Sequence, residues 1–468
     1  MPWRWHLGAA ECIAGATARP KASDVRASLT NGAYLRALTS SYGQIGVSLL
    51  IQVLLVPMYL DHLGTWRFGV LTMLLAVVNF AGFGLVWLSG AMQRAMGEAH
   101  ATGQEGLFRL VRSVSAGIYL GYGIVVAVGA IAVAAALQAA GRLDVPTELG
   151  PDLWGAVIGT GAYFAVLSIL NVDRAAFAAR GRQATGNLLT ILAQAGYAVG
   201  AVPVLMAGGG IGALMACFVA GAVVALAVSR WLRRSEAATE PCQTTAREVF
   251  RRLSGRLGGA YMVYGTLAAC LQADVLILGL LTGGETVAKF ALVWRIAEWA
   301  AVALWRVPET MIPFLVHADT LDDRTRLAEL YRRLLWTAGG LSACVGLGYA
   351  AFGPWVVKLW VGAEFAPTEW WAYALAGGGI FWLGLARVPM VFGYGMVRLR
   401  RISATMAVEL AARIALTVLL LPAAGYAAPV AALNLAHALG AAWSYLAAGG
   451  RLARPQGVGE GGCASAIR

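Results

Sequence analysis

Two matching segments decide the fold: L-G-T-W-R-F-G-V (Leu63–Val70) and G-G-E-T-V-A-K-F-A-L (Gly283–Leu292), each of which leads into a long apolar stretch. Their matching phenylalanines lie 222 residues apart. Two later landmarks, A-R-G-R-Q-A-T (Ala179–Thr185) and R-L-R-R-I-S-A-T (Arg398–Thr405), repeat at an offset of 218 residues. The nearly constant spacing indicates that the chain consists of two similar halves.

Composition places both halves in a membrane. Of the 468 residues, 59% are hydrophobic and 13% are charged, against about 45–50% and about 25% in soluble domains. A soluble protein with a freestanding catalytic domain is therefore excluded. The apolar residues form twelve segments of roughly bilayer-spanning length, at about 39–60, 68–90, 113–139, 153–173, 185–206, 210–229, 258–281, 290–315, 334–353, 370–396, 402–422 and 427–449.

The sequence thus predicts an all-α polytopic membrane protein of about 12 transmembrane helices in two six-helix lobes. Because six is even, both lobes insert in the same orientation, and the expected symmetry is a pseudo-two-fold axis along the membrane normal. The predicted divisions are a cytoplasmic N-terminal extension (1–29), an N-terminal lobe (30–233), a cytoplasmic linker (234–246), a C-terminal lobe (247–452) and a cytoplasmic tail (453–468).

Basic residues give the orientation. Alternate gaps between the segments hold 28 of the 36 lysines and arginines when the first 38 residues are assigned to the cytoplasm, and the opposite gaps hold 4. Basic flanks stay on the cytoplasmic side, so both termini are predicted to be cytoplasmic. The net charge of +12 is then mostly a topology signal. No nucleic-acid partner is expected, since no basic block is interleaved with aromatic residues.

Charged residues inside helix eight form a repeat. W-R-I-A-E (Trp294–Glu298) recurs as W-R-V-P-E (Trp305–Glu309) after 11 residues, about three helical turns, so both copies share one face. The arginines could attract phosphate in a hydrated cavity, the tryptophans could stack on sugars and a glutamate could titrate. Alternatively, each arginine simply neutralises the glutamate three residues later.

Other intramembrane charges fall in helices seven, ten and eleven. Asp274, which follows Gln272 in helix seven, either pairs with an arginine or carries a proton. Glu409 and Arg413 are spaced for an internal pair, and Arg387 is a candidate cavity or interface cation.

Helix one has a polar face without charge: Ser41, Gln44, Ser48 and Gln52 recur at spacings of 3, 4 and 4. Such a face suits hydrogen bonding to a hydroxyl-rich cargo, and it equally suits hydrogen bonding between helices.

Together these patterns predict a cavity for pyrophosphate and sugar lined by Arg295, Arg306, Arg387, Arg413, Trp294, Trp305, Gln44, Gln52 and Gln272. The candidates for ion or proton coupling are Asp274, Glu298, Glu309 and Glu409. No catalytic residue, metal site or cofactor is predicted. A nucleotide-binding loop of the G-x-x-x-x-G-K-[ST] type is missing from the sequence, so energy would come from an ion gradient, the membrane potential or mass action.

Three segments carry a resemblance to a known family: Val56–Val70 with its P-x-Y-L-x-x-L-G pattern, A-G-F-G-L (Ala81–Leu85), and Leu271–Phe290 with its Q-A-D-x-x-I-L-G pattern. They resemble the polysaccharide-transport, or Wzx-type O-antigen flippase, branch of the multidrug/oligosaccharidyl-lipid/polysaccharide exporter superfamily. The likeness covers about residues 30–450. In it, Asp274 occupies the acidic position of helix seven.

The resemblance implies a flippase of the bacterial cytoplasmic (inner) membrane that serves cell-surface polysaccharide biosynthesis. It would move polyprenyl-pyrophosphate-linked oligosaccharide between leaflets by alternating access of its two lobes. The implied partners are this lipid-linked oligosaccharide, membrane lipids and polysaccharide assembly proteins.

Two other functions stay open. A cation-coupled multidrug exporter of the same fold is disfavoured because helix one lacks an acidic residue and the cavity candidates are rich in arginine. A membrane-embedded polysaccharide polymerase or ligase is disfavoured because the longest outer gaps, about 140–152 and 354–369, hold few charged residues. The chain is therefore predicted to be a carrier and not an enzyme.

Overall fold

The computed structural model describes residues 31–139, 150–234, 244–255, 272–312, 321–396 and 400–453, with 315, 318 and 319. The predicted N-terminal extension lies outside the described residues, as do most of the linker, most of the C-terminal tail and the first part of helix seven. Within the described ranges the secondary structure is helical, with no strand.

The main helices follow one another with short connections. A continuous helical segment, Asn31–Ala101, contains α1 and α2, which are separated at Gly64. The next are α3 (Glu105–Ala139), α4 (Gly150–Ala179), α5 (Gln183–Met206), α6 (Ile211–Leu232) and α7 (Ala246–Gly255). The second half contains α8 (Gln272–Thr282), α9 (Gly284–Glu309), α10 (Arg324–Val361), α11 (Trp370–Gly395), α12 (Arg400–Ala424) and α13, which consists of Ala428–Ala436, a π-helical turn His437–Ala441 and Ala442–Ala453.

Length and hydropathy support the twelve predicted membrane segments. Eight helical stretches of the described chain are long and apolar enough to cross a membrane, and the stretch Arg401–Leu452 contains two helices, as does the segment around Thr39–Gly82. Those stretches account for ten of the predicted segments. The other two are α8, of which 272–282 is described, and α9, whose six charged residues lower its hydropathy. The prediction of an all-α membrane protein with two lobes is confirmed.

Glycines with positive φ stand at corresponding places in the two halves. Gly64 has φ 78° and ψ 168° between α1 and α2, and Gly283 has φ 96° and ψ 179° between α8 and α9. Gly208 after α5 and Gly425 after α12 form a second pair, with φ 76° and 51°. Only glycine adopts these conformations at little cost, so the sequence repeat has a counterpart in the backbone.

Helix α7 packs on the first half, although the sequence groups it with the second. Val249 and Leu253 on its apolar face are buried in a cluster with Met92 and Met96 of α2 and Phe108 of α3. The spacing of four residues between Val249 and Leu253 places both on one face. An amphipathic helix buries that face against the nearest apolar surface, here the meeting point of α2 and α3.

The largest apolar core joins the two halves. It contains Leu71 of α2 and Leu214 of α6 together with Val287 and Trp294 of α9 and Tyr373 of α11. The backbones of the two halves touch where α2 crosses α9, at residues 66–70 and 283–287, where Gly284 packs against Trp66 and Val70. We call this contact the α2–α9 crossing.

Candidate functional site

A cavity of about 270 Å³ lies between the two halves next to the α2–α9 crossing. The first half contributes α1, α2, α4, α5 and α6 to its wall, and the second half contributes α8, α9 and α10. Sites between the halves are typical of carriers built from repeats. The geometry therefore makes this cavity the candidate functional site.

The wall of the cavity combines apolar residues with polar ones and has a single charge among the described residues. Arg295 of α9 is the only charged residue among the described residues that line it. Its guanidinium lies 3.6 Å from Glu298, and the Arg295 side chain is 31% exposed. The uncharged polar residues of the wall are Ser48, Gln52, Thr72, Asn79, Gln194 and Gln272, together with Tyr59, Tyr163 and Tyr197. A wall of this composition offers hydrogen bonds to hydroxyl groups and one cation to an anion.

Tyr59 presents a hydrogen-bonding group that no described residue uses. It is 5% exposed, it lines the cavity, and its hydroxyl has no hydrogen-bond partner in the part of the chain that the structure describes. The ring stacks on Phe68 at a centroid distance of 6.4 Å, which holds it in place. A buried hydroxyl without a partner costs free energy, so a bound ligand or water is its natural partner.

The polar face of α1 serves both of the uses considered for it. Ser48 and Gln52 line the cavity, and the Ser48 hydroxyl also donates a hydrogen bond of 2.7 Å to Gln194 of α5. Farther from the crossing, the Asn187 amide of α5 donates to Ser41 at 3.0 Å. Gln44 does not line the cavity. One end of the face therefore holds α1 against α5, and the other end faces the space between the halves.

The two tryptophans of the α9 repeat are packed away from the cavity. Trp294 is 5% exposed and lies over Phe290 at 6.4 Å. Trp305 is 9% exposed, and the guanidinium of Arg387 lies 4.8 Å above its ring. Trp294 is not among the residues that line the cavity, although the adjacent Arg295 is. In this conformation both tryptophans are packing residues.

The second copy of the α9 repeat forms an ion-pair group of its own. Arg306 contacts Glu309 at 2.9 Å, and Arg387 of α11 contacts the other oxygen of the same carboxylate at 2.5 Å. Arg306 is 49% exposed. None of the three lines the cavity. The carboxylate of Glu309 thus bridges α9 to α11 beyond the cavity, about four turns along α9 from Arg295.

Asp274, Glu409 and Arg413 meet in a buried cluster inside the second half. The Arg413 guanidinium donates to the Asp274 carboxylate and lies 3.7 Å from Glu409. Tyr445 donates a hydrogen bond of 2.6 Å to Glu409, and His437 lies 3.6 Å from that carboxylate. Asp274 thus pairs with an arginine, the first of the two alternatives for it. The π-helical turn begins at His437, and such turns are frequent at functional sites.

Sequence reasoning missed most of the aromatic and amide residues in the cavity wall. Tyr59 lies seven residues after Gln52, two turns along the same helical face, and this spacing was a usable signal. Asn79, Gln194 and Tyr197 carry no such pattern. Their helices are apolar almost all round, and only the packing of the halves determines which face is inward.

No protein-family model matches the sequence, and no curated protein matches it. An inward-facing multidrug resistance MATE family transporter of the MOP superfamily is similar in structure, with a TM-score of 0.71, 13% identity, and coverage of 86% of this chain and 96% of that chain. An outward-facing MATE family transporter has a TM-score of 0.57, 14% identity, and coverage of 90% and 95%. Lipid II flippase MurJ, in an inward closed conformation, has a TM-score of 0.65, 10% identity, and coverage of 88% and 86%. The chain therefore has the two-lobed helical fold of the MOP-superfamily transporters.

Proposed function

We propose that this chain is a flippase that moves polyprenyl-pyrophosphate-linked oligosaccharide across the bacterial cytoplasmic membrane by alternating access. Both termini are cytoplasmic in this proposal, following the distribution of basic residues. A fold shared with MurJ, a lipid II flippase, supports the class of carrier. The pyrophosphate and first sugars of the cargo would occupy the cavity between the halves.

The observation that carries the proposal is the charge of the cavity wall. Arg295 supplies its only charge among the described residues, and Glu298 stands 3.6 Å from it, which exceeds the usual length of a charge-assisted hydrogen bond. The guanidinium therefore keeps donors for a second anion. Arginine binds phosphate oxygens in a planar, bidentate geometry, and a positive wall disfavours cationic drugs.

The rest of the wall suits sugars. Hydroxyl and amide groups line it together with aromatic rings, and the Tyr59 hydroxyl has no partner among the described residues. The volume of about 270 Å³ is near the lower end for small-molecule pockets, about 300–1,000 Å³. The cavity would thus take a headgroup, and the polyprenyl tail would stay in the lipid.

The α2–α9 crossing would close the outer end of the cavity in this state. Basic-residue counts place the start of α2 and the start of α9 at the outer face. A TM-score of 0.71 with an inward-facing transporter, against 0.57 with an outward-facing one, supports the same assignment. Transport would then require separation of α2 from α9.

The buried cluster of the second half is the best-placed candidate for ion coupling. Two carboxylates, Asp274 and Glu409, share Arg413, so the three groups carry one excess negative charge. Uptake of a proton or a cation would neutralise that excess in a site from which water is largely excluded. Glu309 pairs with both Arg306 and Arg387, and Glu298 lies 3.6 Å from Arg295 at the cavity wall.

A multidrug exporter is the alternative, favoured by the likeness to MATE family transporters. Vesicles containing the purified protein separate the two. A flippase should move a fluorescent polyprenyl-pyrophosphate oligosaccharide between leaflets and ignore cationic dyes, and Arg295→Ala should abolish this movement. Dye accumulation without movement of the lipid would favour the exporter. In cells that lack the protein and any redundant carrier, unchanged exposure of the lipid-linked oligosaccharide in the outer leaflet would refute the flippase.

A further inference from the structure

A second cavity, of about 260 Å³, lies entirely within the first half. Helices α2, α3, α4 and α5 form its wall, and it shares no lining residue with the cavity between the halves. It is located at the end of the bundle where α4 ends and α5 begins. Its polar lining residues are Ser89, Gln93, Tyr119, Asn171, Arg174 and Gln183.

Arg174 is the only charged residue of that lining among the described residues. One of its guanidinium nitrogens, Nη1, donates to the Asn171 side-chain oxygen at 3.0 Å. The Nε atom is buried and has no hydrogen-bond partner among the residues that the structure describes. A cation that retains an unused buried donor is costly inside a membrane protein.

Two carboxylates of the same half are committed to other arginines. Asp173, next to Arg174 in the chain, accepts from Arg233 at 2.9 Å and from Ser229 at 2.8 Å. Glu105 pairs with Arg180 at 2.7 Å. Among the described residues Arg174 has no ion pair with a carboxylate, so the second cavity contains a cation whose charge no described residue balances.

We propose that the second cavity binds a phosphate group, with Arg174 as its cation. A guanidinium presents donors in a fork that fits two phosphate oxygens, and the hydroxyl of Ser89 and the amide of Gln183 can supply further donors. Arg174 lies five residues before the end of α4, about 7.5 Å along a helix. That depth is close to the phosphates of one membrane leaflet, so the group belongs either to an anionic lipid headgroup or to free phosphate.

The proposal does not depend on what the central cavity carries. Its test measures the thermal unfolding of the full chain in detergent with added inorganic phosphate, phosphatidylglycerol or phosphatidylcholine. Phosphatidylglycerol carries a net negative charge, whereas choline balances the phosphate of phosphatidylcholine. A ligand that binds only the folded state raises the melting temperature with its concentration.

The wild-type chain should be stabilised by inorganic phosphate or by phosphatidylglycerol, and Arg174→Gln should weaken that binding by about tenfold or more, as expected for loss of a charged hydrogen-bond donor. Arg94→Gln is the matched control, because Arg94 of α2 is 75% exposed and pairs with Glu98. Stabilisation by phosphatidylglycerol alone would identify the ligand as an anionic lipid. Stabilisation by inorganic phosphate as well would show that the phosphate group binds without a lipid tail.

Equal stabilisation of Arg174→Gln and wild type would overturn the proposal, as would no stabilisation of the wild type by either anion. If Arg174→Gln does not fold, Arg174→Lys takes its place. Lysine keeps the charge and loses the bidentate geometry, so binding should weaken. Binding of unchanged affinity in Arg174→Lys would overturn the role of the guanidinium.

Discussion

Gly69 of α2 and Gly284 of α9 are packed backbone to backbone: a Cβ atom on Gly69 would lie 1.7 Å from the carbonyl oxygen of Gly284. No side chain fits at either position without moving one helix. The carbonyl oxygen of Trp66, one turn before Gly69 on α2, would lie 2.5 Å from a Cβ on Gly284. This glycine contact joins the two halves next to the cavity between them.

Replacement of Gly69 by alanine should therefore open the α2–α9 crossing. The added methyl group cannot share the space of a backbone oxygen, so α2 and α9 must separate. A cysteine at Thr72, which lines the cavity, reports this change in a variant without other cysteines. Its labelling by a membrane-impermeant maleimide from the outer side should rise several-fold.

Gly97→Ala on α2 is the control for that experiment, because a Cβ there would meet nothing within 4 Å. It should leave labelling unchanged. If Gly69→Ala labels no faster than Gly97→Ala, the crossing is not the barrier to the cavity.

Arg295→Ala should abolish transport with little change in the amount of folded protein. The Arg295 side chain is 31% exposed and its ion pair with Glu298 spans 3.6 Å, so the fold gains little from it. Trp294→Ala should behave in the opposite way, because Trp294 is buried in the core that joins the halves. Such a truncation typically costs about 3–5 kcal/mol of folding stability. Quantitative immunoblots and a transport assay distinguish the two effects, and a loss of Arg295→Ala protein would indicate that Arg295 is structural.

Tyr59→Phe should weaken cargo binding and leave the fold intact. The phenyl ring keeps its stacking on Phe68, and the lost hydroxyl has no partner in the described part of the chain. A hydrogen bond contributes about 0.5–1.5 kcal/mol net, so the dissociation constant should rise by about two- to tenfold, measurable by titration with a soluble pyrophosphate-oligosaccharide.

Tyr349→Phe is the comparison, since the Tyr349 hydroxyl donates a 2.6 Å hydrogen bond to the Val293 carbonyl. It should lower the melting temperature with no change in affinity. An unchanged affinity in Tyr59→Phe would mean that the cargo does not reach this hydroxyl.

The helices and the repeat could be predicted from the sequence because a membrane segment has to be apolar over its whole length. The residues of the candidate site were harder to predict from the sequence. Gln52, Gln272 and Arg295 do line the cavity, and Gln52 and Arg295 lie on faces marked by polar or charged spacing. Spacing gives the relative orientation of residues on one helix, but not the rotation of that helix in the bundle, and this is why the stacking role predicted for Trp294 has no counterpart in this conformation.

Contacts between distant helices were beyond sequence reasoning of this kind. Asp274 and Arg413 are separated by 139 residues, and no local pattern connects them. The same is true of Glu309 and Arg387, which join α9 to α11. A charged residue inside a membrane segment indicates that a partner exists, and only the fold identifies that partner.

In the buried cluster, replacement of Asp274 and replacement of Arg413 should lower the folding stability by unequal amounts. Asp274→Asn leaves Arg413 paired with Glu409 and removes the excess negative charge, so the fold should be retained. Arg413→Gln leaves two buried carboxylates without their cation, a change that typically costs about 3–5 kcal/mol. Thermal unfolding should therefore show a large loss for Arg413→Gln and a small one for Asp274→Asn. Equal losses would mean that the cluster is a simple Asp274–Arg413 pair in which Glu409 has no share.

Asp274→Asn also tests ion coupling, in vesicles with an imposed proton or sodium gradient. If the excess charge drives coupling, Asp274→Asn should still move the lipid-linked oligosaccharide, and its rate should no longer respond to the gradient. Glu285→Gln is the matched control, because Glu285 pairs with Lys289 on an exposed part of α9, and its response should equal that of the wild type. A gradient response retained in Asp274→Asn would remove this carboxylate from the coupling mechanism, because the asparagine cannot bind the proton or contribute a negative charge to hold the cation.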